Sequence, residues 1–312
     1  MNVLDTAIKV LSMMAYAIPG FLFVKCKTLS PSQIAPFSKV LVYLCQPCLE
    51  VYAFLSADCT PALLSKMGWF FLLCTGAQLA VLGVVCLLPG DRKETCRRVS
   101  GAASVFGNVG FIGIPLLEAL LPAEAAPDAV ALSAVFALSM NLLAWTAGLF
   151  LMTGERKHIR LKGLLLNPAM LAFYVAFPLF LMGVKLPEAL DTTISLAGKM
   201  STPLCMIALG MRLAATPFRR IVTDKYAWFS CLGKLVFMPL LTLVCLKLLP
   251  FDMYFNATLF LLCCCPTAAV VQNFSEIYLP ENETAGKHTA AGAILLSNLL
   301  CIVTIPLLAA LL

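Results

Sequence analysis

The chain has 312 residues, 61% of them hydrophobic and only 12% charged, with mean hydropathy +0.94 and formal net charge +6. A soluble domain carries roughly 25% charged residues, and this chain has too few to cover a globule in water, so it reads as an all-α polytopic membrane protein. The long unbroken apolar runs exclude a β-barrel, and charges scattered through short loops, with no binding module, exclude nucleic acid as a partner.

In chain order, windows of about 20 apolar residues fall at 4–24, 37–55, 63–88, 100–120, 129–152, 163–183, 193–213, 226–248, 254–279 and 289–311. Residues 1–5 lack a basic n-region, so no cleavable signal peptide is expected. Fourteen cysteines lie mostly within the apolar runs. Cys263, Cys264 and Cys265 are consecutive, and consecutive helical positions point in different directions, so they cannot jointly grip one metal. They read as packing residues, and neither a metal nor a cofactor is expected.

Basic residues set the orientation. They cluster after the first span (Lys25, Lys27, Lys39), the third (Arg92, Lys93, Arg97, Arg98), the fifth (Arg156, Lys157, Arg160, Lys162) and the seventh (Arg212, Arg219, Arg220, Lys225). The opposite loops hold little beyond Lys66, Lys185, Lys199 and Lys247, together with Glu124 and Asp128. The positive-inside rule then predicts a multi-pass protein of the cytoplasmic membrane with both termini outside. The lipid bilayer is its first partner.

The two halves carry similar marks in the same order. Tyr16 and Pro19 precede Lys25, as Tyr174 and Pro178 precede Lys185; Pro47 in the second span matches Pro203 in the seventh. Ser139, Asn141, Leu142 and Leu143 of the fifth span match Ser297, Asn298, Leu299 and Leu300 of the tenth. The expected organisation is a first five-helix repeat over 1–153, a short cytoplasmic linker over 154–162 and a second repeat over 163–312. Five is an odd number, so the second copy enters the membrane from the other side, which is an inverted repeat.

The fourth and ninth spans carry the chemistry: SVFGNVGFIGIPLLEAL and LLCCCPTAAVVQNFSEIYL. Asn108 and Pro115 stand seven apart in one, Pro266 and Asn273 seven apart in the other. Proline lacks an N–H and frees upstream carbonyls. Open backbone at membrane depth is tolerated only where protein, water or a solute satisfies it. Gly107, Gly110 and Gly113 allow nonhelical angles and close approach, and half-helix N-termini there would point N–H groups at a carboxylate. Asn108, Asn273 and Gln272 are amide donors for it; ordinary kinks with close-packed glycines are the alternative. Asn141 and Asn298 form a second amide pair, for the site or for interhelical hydrogen bonds. Glu50 is a candidate for ion coupling, or lies at the headgroups, or pairs with a basic residue. Lys234 either neutralises an anion or snorkels from a structural position. His158 and His288 read as surface residues.

The stretch GNVGFIGIPLLEAL, followed downstream by PLCMIALGMRLA and CCCPTAAVVQNFSEIY, resembles the auxin efflux carrier family, which includes bacterial malate or malonate permeases and plant auxin exporters. The resemblance covers essentially the whole chain. It implies ten helices in two inverted repeats, a fold shared with bile-acid:sodium symporters, with broken helices four and nine crossing at the membrane centre. Its crossover prolines map onto Pro115 and Pro266, and its fourth-helix asparagine onto Asn108. The cysteine run before Pro266 departs from the family pattern. The long hydrophilic central loop of the plant exporters is missing, so the chain looks more like a bacterial permease.

No Walker loop, hydrolase constellation or zinc spacing occurs, so neither an enzyme nor an ATP-driven pump is expected. The expectation is a secondary transporter of small organic anions working by alternating access and powered by a proton or sodium gradient. A sodium-coupled transporter of bile-acid-symporter type and a non-transporting membrane sensor are the alternatives, and a homodimer stays open beside a single chain.

Overall fold

A computed structural model describes residues 2–88, 94–159 and 161–312. Arg92, Lys93 and Arg160, three of the residues that orient the chain, lie outside the described residues. The helices in chain order are α1 (Val3–Lys25), α2 (Pro31–Leu55), α3 (Pro61–Leu87), α4 (Thr95–Ala103), α5 (Val109–Leu120), α6 (Ala126–Thr153), α7 (Pro168–Leu181), α8 (Glu188–Ala215), α9 (Lys225–Lys247), α10 (Met253–Cys263), α11 (Val270–Tyr278) and α12 (Thr284–Ala309). Seven of these, α1, α2, α3, α6, α8, α9 and α12, are long and apolar enough to cross a membrane. The protein is an all-α polytopic membrane protein.

Boundaries follow local chemistry. Thr60 caps α3 by accepting from Leu63 N at 3.1 Å, Asn167 caps α7 through Met170 N at 3.0 Å, and Asp252 caps α10 through Phe255 N at 2.9 Å. Pro61 and Pro168 follow two of these caps, where a missing N–H costs no helical bond. Large apolar side chains such as Leu72, Leu87 and Leu248 point outward, as the bilayer requires and water would not.

The helices pack as two bodies, each drawn from both halves of the chain, that touch where α1 lies on α12 and α2 on α6. In one, α1 lies on α8, and α2 lies on α7 and α8. Backbones touch where α1 meets α8: a Cβ on Gly20 would fall 2.0 Å from the Ile207 carbonyl oxygen, and one on Gly210 would fall 1.9 Å from that of Ala17. Such small residues let membrane helices approach closely. Phe54 of α2 then packs edge-on against Phe173 and Phe177 of α7, with centroids 5.7 and 5.6 Å away. In the other body α4 lies on α6, α9 and α12, while α3 lies on α6.

Proline has two different effects in this fold. Pro47, Pro115 and Pro239 each follow a wide π-turn (Leu41–Cys45, Val109–Gly113, Gly233–Phe237) inside a run that stays helical. The wide turn accommodates the missing N–H without breaking the helix. Pro115 is therefore not a crossover proline, as the resemblance implied: the interruption lies upstream, between Ala103 and Val109. The Phe111 carbonyl, which Pro115 cannot reach with an N–H, accepts instead from the Thr202 hydroxyl at 2.6 Å. Pro266 does lie within an interruption, the one between α10 and α11.

Candidate functional site

The two interruptions meet. Gly107 and Thr267 face each other as an antiparallel pair, with Asn108 N donating to Pro266 O at 2.7 Å and Ala268 N to Phe106 O at 2.9 Å. Backbone freed by each break is thus partly satisfied by the other. The rest goes to side chains. Thr267 Oγ1 donates to Ala103 O, the last carbonyl of α4, at 3.0 Å, and Thr267 N donates to Ser297 Oγ of α12 at 3.1 Å. Fully buried Lys234 donates from Nζ to Cys263 O, the last carbonyl of α10, at 3.0 Å. A cation at a helix C-terminus is favourably placed against the dipole. Gly107 leaves room for it, because a Cβ there would sit 2.8 Å from Lys234 Cε and Nζ.

Two half-helices start at this crossing, α5 after Asn108 and α11 after Ala269. Their first amides border a cavity of about 660 Å³ lined by Gly110, Phe111, Ala269 and Val270. The cavity is also lined by the side chains of Asn108, Asn141 and Asn273, with Gln46 and Glu50 from α2 and Trp145 from α6. Among the described residues that line it there is no lysine or arginine. Asn108 and Asn141 are 9% and 8% exposed, a burial at which amides are normally paired. Among the described residues the Asn108 amide makes one hydrogen bond, a long one from Nδ2 to Cys205 Sγ at 3.9 Å. Neither Asn141 nor Asn273 makes a side-chain hydrogen bond among the described residues. These three amides point into the cavity with donors and acceptors to spare.

The other expected site residues are dispersed. Asn298 bonds its own helix through Ile294 O at 2.8 Å, and its Oδ1 is buried without a partner. It lines a separate small pocket that shares Asn108 and Asn273 with the main cavity. Gln272 donates to Glu276 Oε1 at 2.8 Å and lines neither space. Lys234 is committed to the crossing and lines neither, and Pro115 supports α5. The cysteine run is fully buried with its thiols free, and no cluster able to hold a metal occurs among the described residues. Gln46 and Trp145 are cavity residues that the sequence does not single out, because both lie inside apolar runs.

The cavity is asymmetric. Toward the loop after α6 it extends past Trp145, Gly163 and Asn167. Near that end, Lys157 and then His158 hold the exposed Glu155 carboxyl below the usual carboxylate range. At the opposite end the two bodies are tied together. Glu118 of α5 accepts from Tyr52 Oη of α2 at 2.5 Å and pairs with Lys199 Nζ of α8 at 3.1 Å, while Lys199 sits 4.6 Å over the Tyr52 ring.

Comparison with known proteins gives the family. The profile of the membrane transport protein family matches residues 3–163 and 157–309, nearly the whole chain. The chain belongs to that family. It is similar to the transporter YfdV of Escherichia coli K12, 28% identical over 162 residues, which is 49% of this chain and 50% of the relative. YfdV of Escherichia coli O157:H7 and of Shigella flexneri match to the same extent. The match spans about half the length of each of these relatives. The family is one of membrane transport proteins.

Proposed function

We propose that the protein is a secondary transporter of small organic anions, carboxylates such as malate, malonate or auxin-like acids, working by alternating access. The observation that carries this reading is the antiparallel crossing of two interrupted helices beside a cavity of about 660 Å³. Orphan amides at helix N-termini favour anions, and three asparagine amides, two of them without a partner among the described residues, supply directional hydrogen bonds around the same space. Counting each interrupted pair as one span, and α7 as a short span, gives ten spans. Five in each half then make the two halves an inverted repeat, with both termini extracytoplasmic and the cavity open to the cytoplasm. In this reading the body of α1, α2, α7 and α8 is the scaffold, and the body holding the crossing rocks against it. Glu50, on the cavity wall, is the candidate for proton coupling.

The test is uptake of labelled malate, malonate and indole-3-acetate into sealed proteoliposomes under separately imposed proton, sodium and voltage gradients. Saturable uptake lost in Asn141→Ala or Asn273→Ala protein that still folds is the expected result. Absence of uptake of all three acids under every gradient refutes the anion reading. Uptake only with sodium moves the protein to the sodium-coupled class.

A further inference from the structure

The pocket beside the shared amides contains a positive charge that the described lining of the main cavity does not. It measures about 50 Å³, room for a group of roughly carboxylate size given ~30 Å³ per liquid water, and is lined by Arg212, Asn108, Asn273, Asn298 and Cys205. Arg212 lies a turn inside the end of α8 and is half-buried. Its one hydrogen bond among the described residues is from Nη2 to Ser38 Oγ at 3.3 Å, and it forms no ion pair. Glu276 is near enough to act on it electrostatically, but the Oε1 of that carboxylate is taken by Gln272. A guanidinium has five N–H donors in a planar fork suited to a carboxylate, and nearly all of that capacity is uncommitted here. Asn108 and Asn273 line both this pocket and the main cavity, so a molecule bound at those amides has Arg212 in the adjoining pocket.

We infer that Arg212 is the charge-selecting residue of the transport site: it binds a carboxylate of the substrate, with Asn108 and Asn273 holding that group between pocket and cavity. The inference rests on the anion-transport reading and adds the residue that tells an acid from its neutral analogue. Half-helix dipoles and amides favour an anion only moderately, whereas a guanidinium fork requires one. As a mere topology residue, Arg212 would do no more than snorkel to the cytoplasmic surface. In that case acid and amide would be affected alike by its loss.

The experiment measures binding of malate, malonate and indole-3-acetate, each beside its neutral amide, to purified wild type, Arg212→Gln and Arg212→Lys. Thermal melts and size-exclusion profiles establish that each variant is folded. The expected result is that the glutamine variant binds the best acid roughly 10- to 100-fold more weakly and loses its preference for acid over amide. The lysine variant, which keeps the charge but not the fork, should recover part of both. Folded Arg212→Gln with wild-type acid affinity and selectivity overturns the inference while leaving anion transport standing. Wild type that binds none of the three acids overturns the anion reading itself, and this inference with it. A second measurement needs no variant. Cys205 lines the same pocket, and peptide mass spectrometry after N-ethylmaleimide treatment should show that the acid, but not the amide, slows its alkylation. Bound acid that leaves the Cys205 rate unchanged places the carboxylate elsewhere and also overturns the inference.

Discussion

Thr267→Val isolates one bond that holds the crossing together. Valine keeps the shape of threonine and removes the hydroxyl, so no cavity opens. What disappears is the donor to Ala103 O, 3.0 Å away. No backbone N–H outside the helix takes that carbonyl, so it is left buried and unpaired. An orphaned buried acceptor costs about 1–3 kcal/mol, and the more favourable burial of a methyl group offsets part of that. Taking about 1.5 kcal/mol, and about 2–4 °C per kcal/mol for a chain of this size, Tm should fall by about 3–6 °C. Thr267→Ser is the control. It keeps the hydroxyl and loses one methyl, worth about 0.8 kcal/mol, and should fall by about 2–3 °C. The assay is a thermal melt in detergent, followed by size exclusion of the heated samples. A valine variant as stable as wild type, or more stable than the serine variant, refutes the claim that Thr267 satisfies α4.

Three further outcomes follow from the same geometry. Asn141→Leu and Asn273→Leu should leave Tm within about 2 °C of wild type and lower uptake of the best acid roughly tenfold or more, because these amides have no protein partner to lose; melts and proteoliposome flux measure both. Gly210→Val puts a side chain where even a Cβ lies 1.9 Å from Ala17 O, so separating α1 from α8 should cost about 1–3 kcal/mol or more, read as a lower Tm. Pro115→Ala should leave Tm unchanged or raise it, and should shrink the loss of about 1 kcal/mol expected for Thr202→Val, since an N–H at 115 can take over the Phe111 carbonyl; a double-mutant cycle of melts gives the coupling.

The seven long apolar helices were legible in the sequence, because hydropathy is a local property that the bilayer forces on a chain. Proline and glycine in apolar runs also marked the two interrupted spans, though not the place of the first break. It did not distinguish Pro115, absorbed by a π-turn and rescued by a hydroxyl 87 positions downstream, from Pro266, which sits in a true break. That distinction depends on which group reaches a freed carbonyl, and the group lies on another helix. Lys234 misled for the same reason. A buried lysine invites a substrate role, and only the packing reveals a helix end already occupying its ammonium. The amides were legible individually. Their division, with Asn141 on one side of the crossing, Asn298 on the other and Asn108 and Asn273 between, required the three-dimensional arrangement. Arg212 shows the limit most clearly: near the end of an apolar run, a charge that orients a helix and a charge that serves a site look identical.

The knot of Tyr52, Glu118 and Lys199 has a consequence for the empty carrier. Under the alternating access proposed above, opening the far side would mean parting Glu118 from both partners, and among the described residues no salt bridge does the same where the cavity opens. If the knot contributes about 1 kcal/mol, in the range for a partly exposed ion pair with a charged hydrogen bond, the idle protein rests in the present state about fivefold more often than in the opposite one. A solute arriving from the far side meets a competent carrier only in that minority of molecules. Its apparent affinity is weakened by the same factor. The two directions of movement would then differ in half-saturation while sharing one binding site.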